Sequence, residues 1–168
     1  QGISRLLYGP ARKYIESVRM VAGDGSILTA EKGRKLTLPS GRVIDWIDVA
    51  LGKEGITGVI SELTLKLLPK PESVWGIAFF FSKTEEAGRF VDILKQDMPE
   101  CEHAAVAAVE YIDRAAMDLI QEHKGSMTKI KELPDVDGET EGMIYVELHG
   151  EEEEIEMLAE ALMEAAMV

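Results

Sequence analysis

The sequence has 168 residues, and its content of 46% hydrophobic and 29% charged residues is typical of a folded soluble protein rather than a disordered one. That length is enough for one ordinary domain or two small ones. No apolar run approaches the roughly 20 residues that span a bilayer, and no signal-peptide pattern is visible at the start. The chain begins with Gln1 instead of Met, so we expect the native N-terminus to lie further upstream. With Cys101 as the single cysteine no internal disulfide can form, which is compatible with the cytoplasm.

Charge is distributed unevenly along the chain. Residues 1–72 carry eleven Lys or Arg and eight Asp or Glu, whereas residues 73–168 carry seven and twenty-three. The net charge of −13, without a basic stripe, argues against nucleic acid as a partner. The mildly basic first part could still hold a small anionic cofactor. The change falls at Pro69-Lys-Pro71, where proline ends any regular element, so we predict a domain boundary there.

The first part of the chain reads as strands joined by tight turns. The predicted strands are Ser17–Ala22, Ser26–Glu31, Lys35–Leu38 and Val59–Leu68. Gly23-Asp24-Gly25 predicts a hairpin turn, because Gly and Asp tolerate the positive φ that such turns need. The apolar spacing in Ile44–Leu51 indicates a short helix. The pattern of Val59–Leu68 indicates a long strand buried on at least one face.

The second part alternates strands and helices. The predicted strands are Trp75–Phe81, Ala104–Tyr111 and Met143–His149, and the predicted helices are Thr84–Gln96, Asp113–Glu122 and Glu151–Met167. Lys124–Glu141 has no clear period and is rich in charge, Gly and Pro, which predicts an exposed loop. The order β-α-β-α-β-α favours an α+β fold in which the helices pack on one face of a small sheet, similar to a ferredoxin-like layer.

The most informative segment for chemistry is Gly52-Lys-Glu-Gly-Ile-Thr-Gly-Val-Ile-Ser-Glu62. Three glycines at a spacing of three allow the backbone to approach a ligand and to expose several N–H groups in a row. The strand predicted directly downstream would give such a loop a rigid support. Glycines in this arrangement also occur in an ordinary tight turn before a strand, so the pattern alone leaves both interpretations open.

Several segments resemble the vanillyl-alcohol oxidase type of FAD enzymes. Gly52–Ile60 resembles the Gly-Ser-Glu-Gly-Thr-Leu-Gly-Val-Ile segment of that family, although Ile56 and Thr57 stand where Thr and Leu are usual. The other segments that are similar to the family are Tyr8–Tyr14 (with Lys13 where Asp is common), Val18–Gly25, Thr64–Pro71 and Glu110–Leu119. The last of these is similar to the opening of the cap domain in the glycolate oxidase and D-lactate dehydrogenase branch.

The resemblance implies a cofactor site and a division of the chain. In that family the glycine segment lies against FAD, largely through backbone groups, which implies the cofactor-binding residues Glu54, Gly55, Ile56, Thr57, Gly58, Val59 and Ile60. Residues 1–72 would be the C-terminal part of an FAD-binding domain, formed by antiparallel strands and a short helix. Residues 73–168 would be the N-terminal part of a ferredoxin-like cap, or substrate, domain. The family's pyrophosphate loop would lie upstream of Tyr8, and its catalytic and metal-binding histidines would lie downstream of Val168.

The same resemblance implies the activity of a longer parent protein. The parent is expected to oxidise a small 2-hydroxy acid of the glycolate or D-lactate type, passing a hydride to FAD and then electrons to an acceptor. No catalytic residue is assigned within this chain, which is expected to be inactive and free of FAD by itself. The cytoplasm is the expected location, and attachment to a membrane through partner subunits and a homo-oligomeric state stay open. The alternative is a non-catalytic α+β binding or interaction module with a coincidental glycine-rich turn.

The remaining reactive side chains indicate no site. His103, His123 and His149 lack paired metal-ligand spacing, and Cys101 only neighbours His103, so solvent-facing structural roles are expected. The segment Asp135-Val-Asp137-Gly138 resembles a calcium loop but lacks a third ligand and the closing Glu. We therefore predict a solvated turn there and no metal site.

Overall fold

The structure, a computed structural model, describes residues 2–96, 98–126 and 133–167. In chain order its helices and strands are α1 (Arg5–Tyr8), β1 (Ile15–Val21), β2 (Ile27–Glu31), β3 (Lys35–Thr37), β4 (Val43–Asp45), β5 (Val59–Leu65), β6 (Ser73–Phe81), α2 (Thr84–Gln96), β7 (Ala104–Asp113), α3 (Arg114–His123), β8 (Gly142–Gly150) and α4 (Glu152–Ala165). Short 3-10 helices occupy Ala11–Tyr14, Trp46–Val49 and Lys124–Ser126. The chain forms two compact units, one of Pro10–Pro69 and one of residues 2–9 together with the chain from Lys70 onward.

The Pro10–Pro69 unit is built on a three-stranded antiparallel sheet in the order β2-β1-β5, with β3 and β4 as a separate two-stranded ribbon. The predicted hairpin between β1 and β2 is confirmed: Gly25 has φ +84°, and the Asp24 carboxylate accepts a hydrogen bond from the Ser26 N–H at 2.9 Å. The central strand supplies most of the small core, whose buried members are Ile15, Val18, Met20, Ile47 and Ala50.

Two predictions for this unit are wrong. Ile44–Leu51 is not an α-helix, because its first residues pair with β3 as β4 and the Asp45 side chain then accepts from the Ile47 N–H to start a 3-10 helix. The predicted strand Val59–Leu68 ends at Leu65 and is not buried on either face, since all seven residues of β5 are exposed. β5 is an edge strand whose partner within the sheet is β1.

The second unit contains a three-stranded antiparallel sheet in the order β6-β8-β7. The strands and helices predicted after residue 72 are all found, with ends that differ by three residues or fewer. Alternate residues of β6 and β8 pack against the apolar stripes of α2 and α4, as the period of each element requires. This core includes the buried side chains of Phe79, Phe81, Phe90, Ile144, Val146, Leu148, Ile155, Leu158 and Leu162.

The prediction that all helices pack on one face of this sheet is wrong. Buried Met117 of α3 lies with Gly76, Ala78 and Tyr145, which belong to the face opposite α2 and α4. α1 contacts the same opposite face through β8, as described below. Small residues on β6 leave room there: a Cβ built on Gly76 would lie 2.6 Å from the Tyr145 hydroxyl oxygen. Periodicity identified the helices but carried no information about the face on which each one packs.

The segment predicted as an exposed loop, Lys124–Glu141, is only partly described. It begins with the 3-10 helix Lys124–Ser126, residues 127–132 lie outside the described residues, and 133–141 contain no helix or strand. Arg114 at the start of α3 donates to the carbonyl oxygens of Asp137, Gly138 and Thr140, at 2.9 to 3.0 Å. Within the described ranges, no helix has the length and apolar character that crossing a bilayer requires.

Candidate functional site

The predicted cofactor residues form one continuous loop that leads into β5. Three of these residues have positive φ, Glu54 at +52°, Gly55 at +84° and Gly58 at +146°, and Gly52 just upstream has φ +66°. Glu54 is the only non-glycine residue with positive φ in the described part of the chain. Such conformations are sparsely populated by residues with side chains and concentrate at ligand sites and tight turns.

Some backbone N–H groups of the loop donate to carbonyl oxygens within turns, and others face solvent. Ile56 donates to the Lys53 carbonyl at 3.0 Å and Gly58 donates to the Gly55 carbonyl at 3.3 Å. Within the described residues, the N–H groups of Gly55 and Thr57 have no acceptor. These two donors are therefore available to a ligand that approaches the backbone.

The side chains of the loop do not cover these donors. The side chain of Ile56 is 88% exposed, and that of Val59, at the start of β5, is 72% exposed. Val59 and Ile60 pair with Val21 and Met20 of β1, which fixes the end of the loop on the sheet. The segment from Glu54 to Ile60 thus presents an open surface of backbone and apolar side chains, and its end is fixed by pairing with β1.

The glycines of the loop serve different purposes. A Cβ built on Gly58 would lie 2.4 Å from the Val21 carbonyl oxygen and 2.7 Å from the Met20 methyl carbon, so packing within the unit already requires glycine there. A Cβ built on Gly55 would meet no atom within 4 Å. Gly55, like Gly52 upstream of it, therefore has open space on its Cβ side, whereas Gly58 does not.

The electrostatic surroundings of the loop are balanced. Arg19 on β1 forms an ion pair with Glu62 on β5, and the Ser61 hydroxyl donates to the Arg19 carbonyl at 3.2 Å. Arg12 forms an ion pair with Asp48 in the same unit. Arg19 and Glu62 thus neutralise each other on the strands that support the loop.

The other reactive side chains considered from the sequence include Cys101, Asp135 and Asp137. No cluster of three potential metal ligands occurs in the described ranges. Burial and then the nearby Glu154 raise the pKa of the Cys101 thiol, which disfavours the reactive thiolate. The Lys124 ammonium lies 2.8 Å from the Asp135 carboxylate and lowers the pKa of that carboxyl. Asp137 accepts from the Glu139 N–H at 3.0 Å, as expected for a turn.

The histidines are not all alike. His103 is exposed, as predicted, and the His123 ring bonds to the Leu119 carbonyl one turn back in α3. The prediction of a solvent-facing role for His149 is wrong, because its side chain is 12% exposed and both ring nitrogens have partners. The Tyr8 hydroxyl lies 2.7 Å from Nδ1 and the Glu147 carboxylate lies 2.9 Å from Nε2. The sequence could not show this network, since its members are up to 141 positions apart and have no local pattern.

Comparison with known proteins shows the class of this chain. No protein-family model matches it. In fold it is similar to alkyldihydroxyacetonephosphate synthase, with a TM-score of 0.63 and 17% identity over 99% of this chain and 30% of that structure. At that identity the match shows the fold alone, an α+β arrangement with antiparallel sheets that corresponds to part of a larger protein.

Sequence relatives define the family. The chain is 25% identical over 162 residues to D-lactate dehydrogenase of Archaeoglobus fulgidus, which covers 96% of this chain and 33% of the relative. It is 26% identical over 123 residues to the glycolate oxidase subunit GlcD of Bacillus subtilis, covering 73% of this chain and 24% of the relative. Over most of its length the chain is therefore similar to proteins of the FAD-linked oxidase family, which confirms the resemblance. It spans about a third or less of the length of the curated relatives it matches.

Proposed function

We propose that the chain is part of an FAD-dependent dehydrogenase that oxidises a small 2-hydroxy acid of the glycolate or D-lactate type. FAD would supply the redox chemistry by accepting a hydride, and the enzyme would pass the electrons to a further acceptor. Similarity to D-lactate dehydrogenases and to a glycolate oxidase subunit over most of this chain supports the substrate class. We assign no catalytic base or carboxylate-binding residue to the chain.

Within that enzyme we propose that Glu54–Ile60 lies against FAD through its backbone. The observation that carries this proposal is the pair of available N–H groups of Gly55 and Thr57 in an exposed loop with successive positive φ values. The open space beside Gly55 and the fixed start of β5 fit such a contact. Every interaction in the proposed contact is made by backbone atoms, so the unusual residues Ile56 and Thr57 are compatible with it.

We further propose that the two compact units belong to different domains of the enzyme. The Pro10–Pro69 unit would complete the FAD-binding domain, and the unit formed by residues 2–9 and the chain from Lys70 onward would begin the substrate domain. The difference in net charge between residues 1–72 and 73–168 supports the assignment, since the mildly basic part carries the proposed FAD contact and an acidic surface would repel the anionic FAD phosphates.

The decisive experiment compares two glycines with the same backbone conformation. Gly55 and Gly25 both have φ +84°, and a Cβ on either would meet no protein atom within 4 Å. Gly55→Ala and Gly25→Ala should therefore destabilise the protein alike, by about 1 kcal/mol for a left-handed alanine. If the loop contacts flavin, only Gly55→Ala places a methyl group against the ligand. The measurement is the dissociation constant of FAD, by calorimetric titration of the deflavinated full-length enzyme.

The expected result is at least about a tenfold weaker affinity for FAD in Gly55→Ala, which corresponds to about 1.4 kcal/mol, with Gly25→Ala close to the unmodified enzyme. Equal FAD affinities in the two variants would mean that the loop is only a turn before a strand. Absence of FAD binding by the unmodified full-length protein would favour the other class of function, a non-catalytic binding module.

A further inference from the structure

α1 lies beside β7 and buries none of its own residues. The helix has only four residues, none of them buried, and Leu6 is 64% exposed. A helix of one turn has no stability of its own, because nucleation is unfavourable and only a few internal hydrogen bonds form. Its two backbone bonds run from the Tyr8 and Gly9 N–H groups to the Ser4 and Arg5 carbonyls. Polar contacts with β8 add to the packing beside β7 in fixing residues 2–9.

Those contacts converge on one carboxylate. Glu147 accepts from the Ser4 hydroxyl at 2.9 Å through Oε1 and from the Tyr145 hydroxyl at 3.1 Å through Oε2. Its Oε1 also lies 2.9 Å from His149 Nε2, and Tyr8 completes the network at Nδ1 of the same ring. The Glu147 side chain is 13% exposed, and the Tyr8 and His149 rings pack together with centroids 5.5 Å apart. We propose that Ser4, Tyr8, Glu147 and His149 form a pH-sensitive clamp that holds residues 2–9 on the second unit.

The direction of each hydrogen bond follows from the charge of Glu147. An ionised carboxylate only accepts, so His149 Nε2 must carry a proton and donate it. In the neutral ring Nδ1 is then an acceptor, and the Tyr8 hydroxyl is the donor. A protonated ring donates from both nitrogens and Tyr8 accepts instead, so protonation of His149 leaves the clamp intact. A protonated Glu147, in contrast, carries an O–H donor of its own, and it faces three groups, Ser4, Tyr145 and His149, that are already donors.

The network keeps Glu147 ionised although it is largely buried. Burial alone would raise the pKa of Glu147, but hydrogen bonds from Ser4, His149 and Tyr145 outweigh it and hold the pKa below its ordinary value. Burial first, and then the contact with Glu147, raise the pKa of Tyr145, which stays a neutral donor. A lowered carboxyl pKa stabilises the closed clamp above the ordinary carboxyl pKa, and this contribution is lost as the pH falls through the lowered value.

Few other charged groups face the clamp. The residues paired with Glu147 on the flanking strands are Gly76 and Ala108, and those paired with His149 are Val74 and Ala105, none of them ionisable. The nearest carboxylate on a flanking strand is Glu110, which pairs with Tyr145 and lines a groove of about 650 Å³ with Arg5 and Lys95. Of the ionisable groups in contact with α1, Glu147 is thus the one whose ionisation the clamp requires.

Hydrogen exchange followed by NMR tests the clamp in the 168-residue chain. The reporters are the amides of Tyr8 and Gly9, and the amide of Leu148 in β8 reports on the fold of the unit. At pH 7, Glu147→Gln should lower the protection factors of Tyr8 and Gly9 by about tenfold or more, because hydrogen bonds to a charged group are lost. Glu156→Gln, on the exposed side of α4, removes the same charge from a position outside the network and should change neither reporter.

The pH series supplies the second readout. In the unmodified chain, protection at Tyr8 and Gly9 should fall as the pH drops below about 4.3, the ordinary carboxyl pKa, and Glu147→Gln should abolish that dependence. Unchanged protection in Glu147→Gln, or the same pH dependence with and without the carboxylate, would overturn the clamp. If Glu147→Gln does not fold, Tyr8→Phe removes one hydroxyl alone. A Tyr8→Phe chain with unaltered protection at Gly9 would equally refute the proposal.

Discussion

Replacing Gly58 by alanine should damage the Pro10–Pro69 unit even when no ligand is present. The added methyl would overlap the Val21 carbonyl oxygen at 2.4 Å, and φ +146° lies in a region that residues with a Cβ rarely adopt. Forcing alanine into that region costs about 1–3 kcal/mol. Relieving the overlap must also disturb the pairing of Val21 with Val59, and each ladder hydrogen bond lost adds about 1 kcal/mol.

The expected total for Gly58→Ala is a loss of about 3 kcal/mol in the free energy of unfolding, the usual size for backbone strain combined with broken pairing. Gly55→Ala is the matched comparison, since its methyl meets open space and only the left-handed conformation costs about 1 kcal/mol. Urea unfolding followed by the fluorescence of Trp46, in a Trp75→Phe background, reports on the Pro10–Pro69 unit alone. Equal losses in the two variants would refute the argument that packing within the protein requires Gly58.

Three further results are expected. Asp113→Ala should cost about 1 kcal/mol of unfolding free energy in urea, because the Asp113 side chain caps α3 by accepting from the Ala116 N–H at 2.8 Å; no change would contradict the cap. Cys101 should react with iodoacetamide at pH 8 more slowly in the folded chain than in urea, since burial and Glu154 raise its pKa; equal rates would argue against a protected thiol. The 168-residue chain should show no stoichiometric flavin absorbance after gel filtration, and retention of tight FAD would contradict the need for a pyrophosphate loop outside it.

The second unit was the more predictable part of the fold because its signals are local and strong. The predicted apolar stripe recurs at the helical period in Ile155, Leu158, Ala159, Leu162 and Ala166. The first four are buried in α4, and Ala166, just after its end, is partly buried against the same core. Thr84–Gln96 was predicted with the ends that the structure shows. The face on which each helix packs depends instead on contacts between residues that are distant in the sequence. One such contact is that of Tyr145 with the space above Gly76.

In the first unit, predictions were wrong where one sequence pattern is compatible with two structures. Ile44, Ile47 and Leu51 have helical spacing, yet Ile44 pairs with Leu36 as a strand and Ile47 belongs to a 3-10 helix. β5 alternates like a half-buried strand and is exposed along its length. At the candidate site the glycine spacing left a ligand-binding loop and an ordinary turn open, and the structure shows positive φ at all three glycines. The different roles of Gly55 and Gly58 could not be predicted, because the Val21 carbonyl that separates them is 37 positions from Gly58.

The exposure of β5 determines how the isolated chain must be handled. An edge strand with unpaired backbone groups and side chains such as Val59, Leu63 and Leu65 in solvent is a template for pairing with the same strand of another molecule. Glu62 lies in the middle of the strand, and repulsion between the Glu62 carboxylates of two molecules opposes such pairing. The ion pair of Glu62 with Arg19 weakens this repulsion. Self-association should therefore increase with protein concentration and with salt, which screens the remaining repulsion. Dilute samples at low ionic strength are the conditions under which the properties of the single chain can be measured.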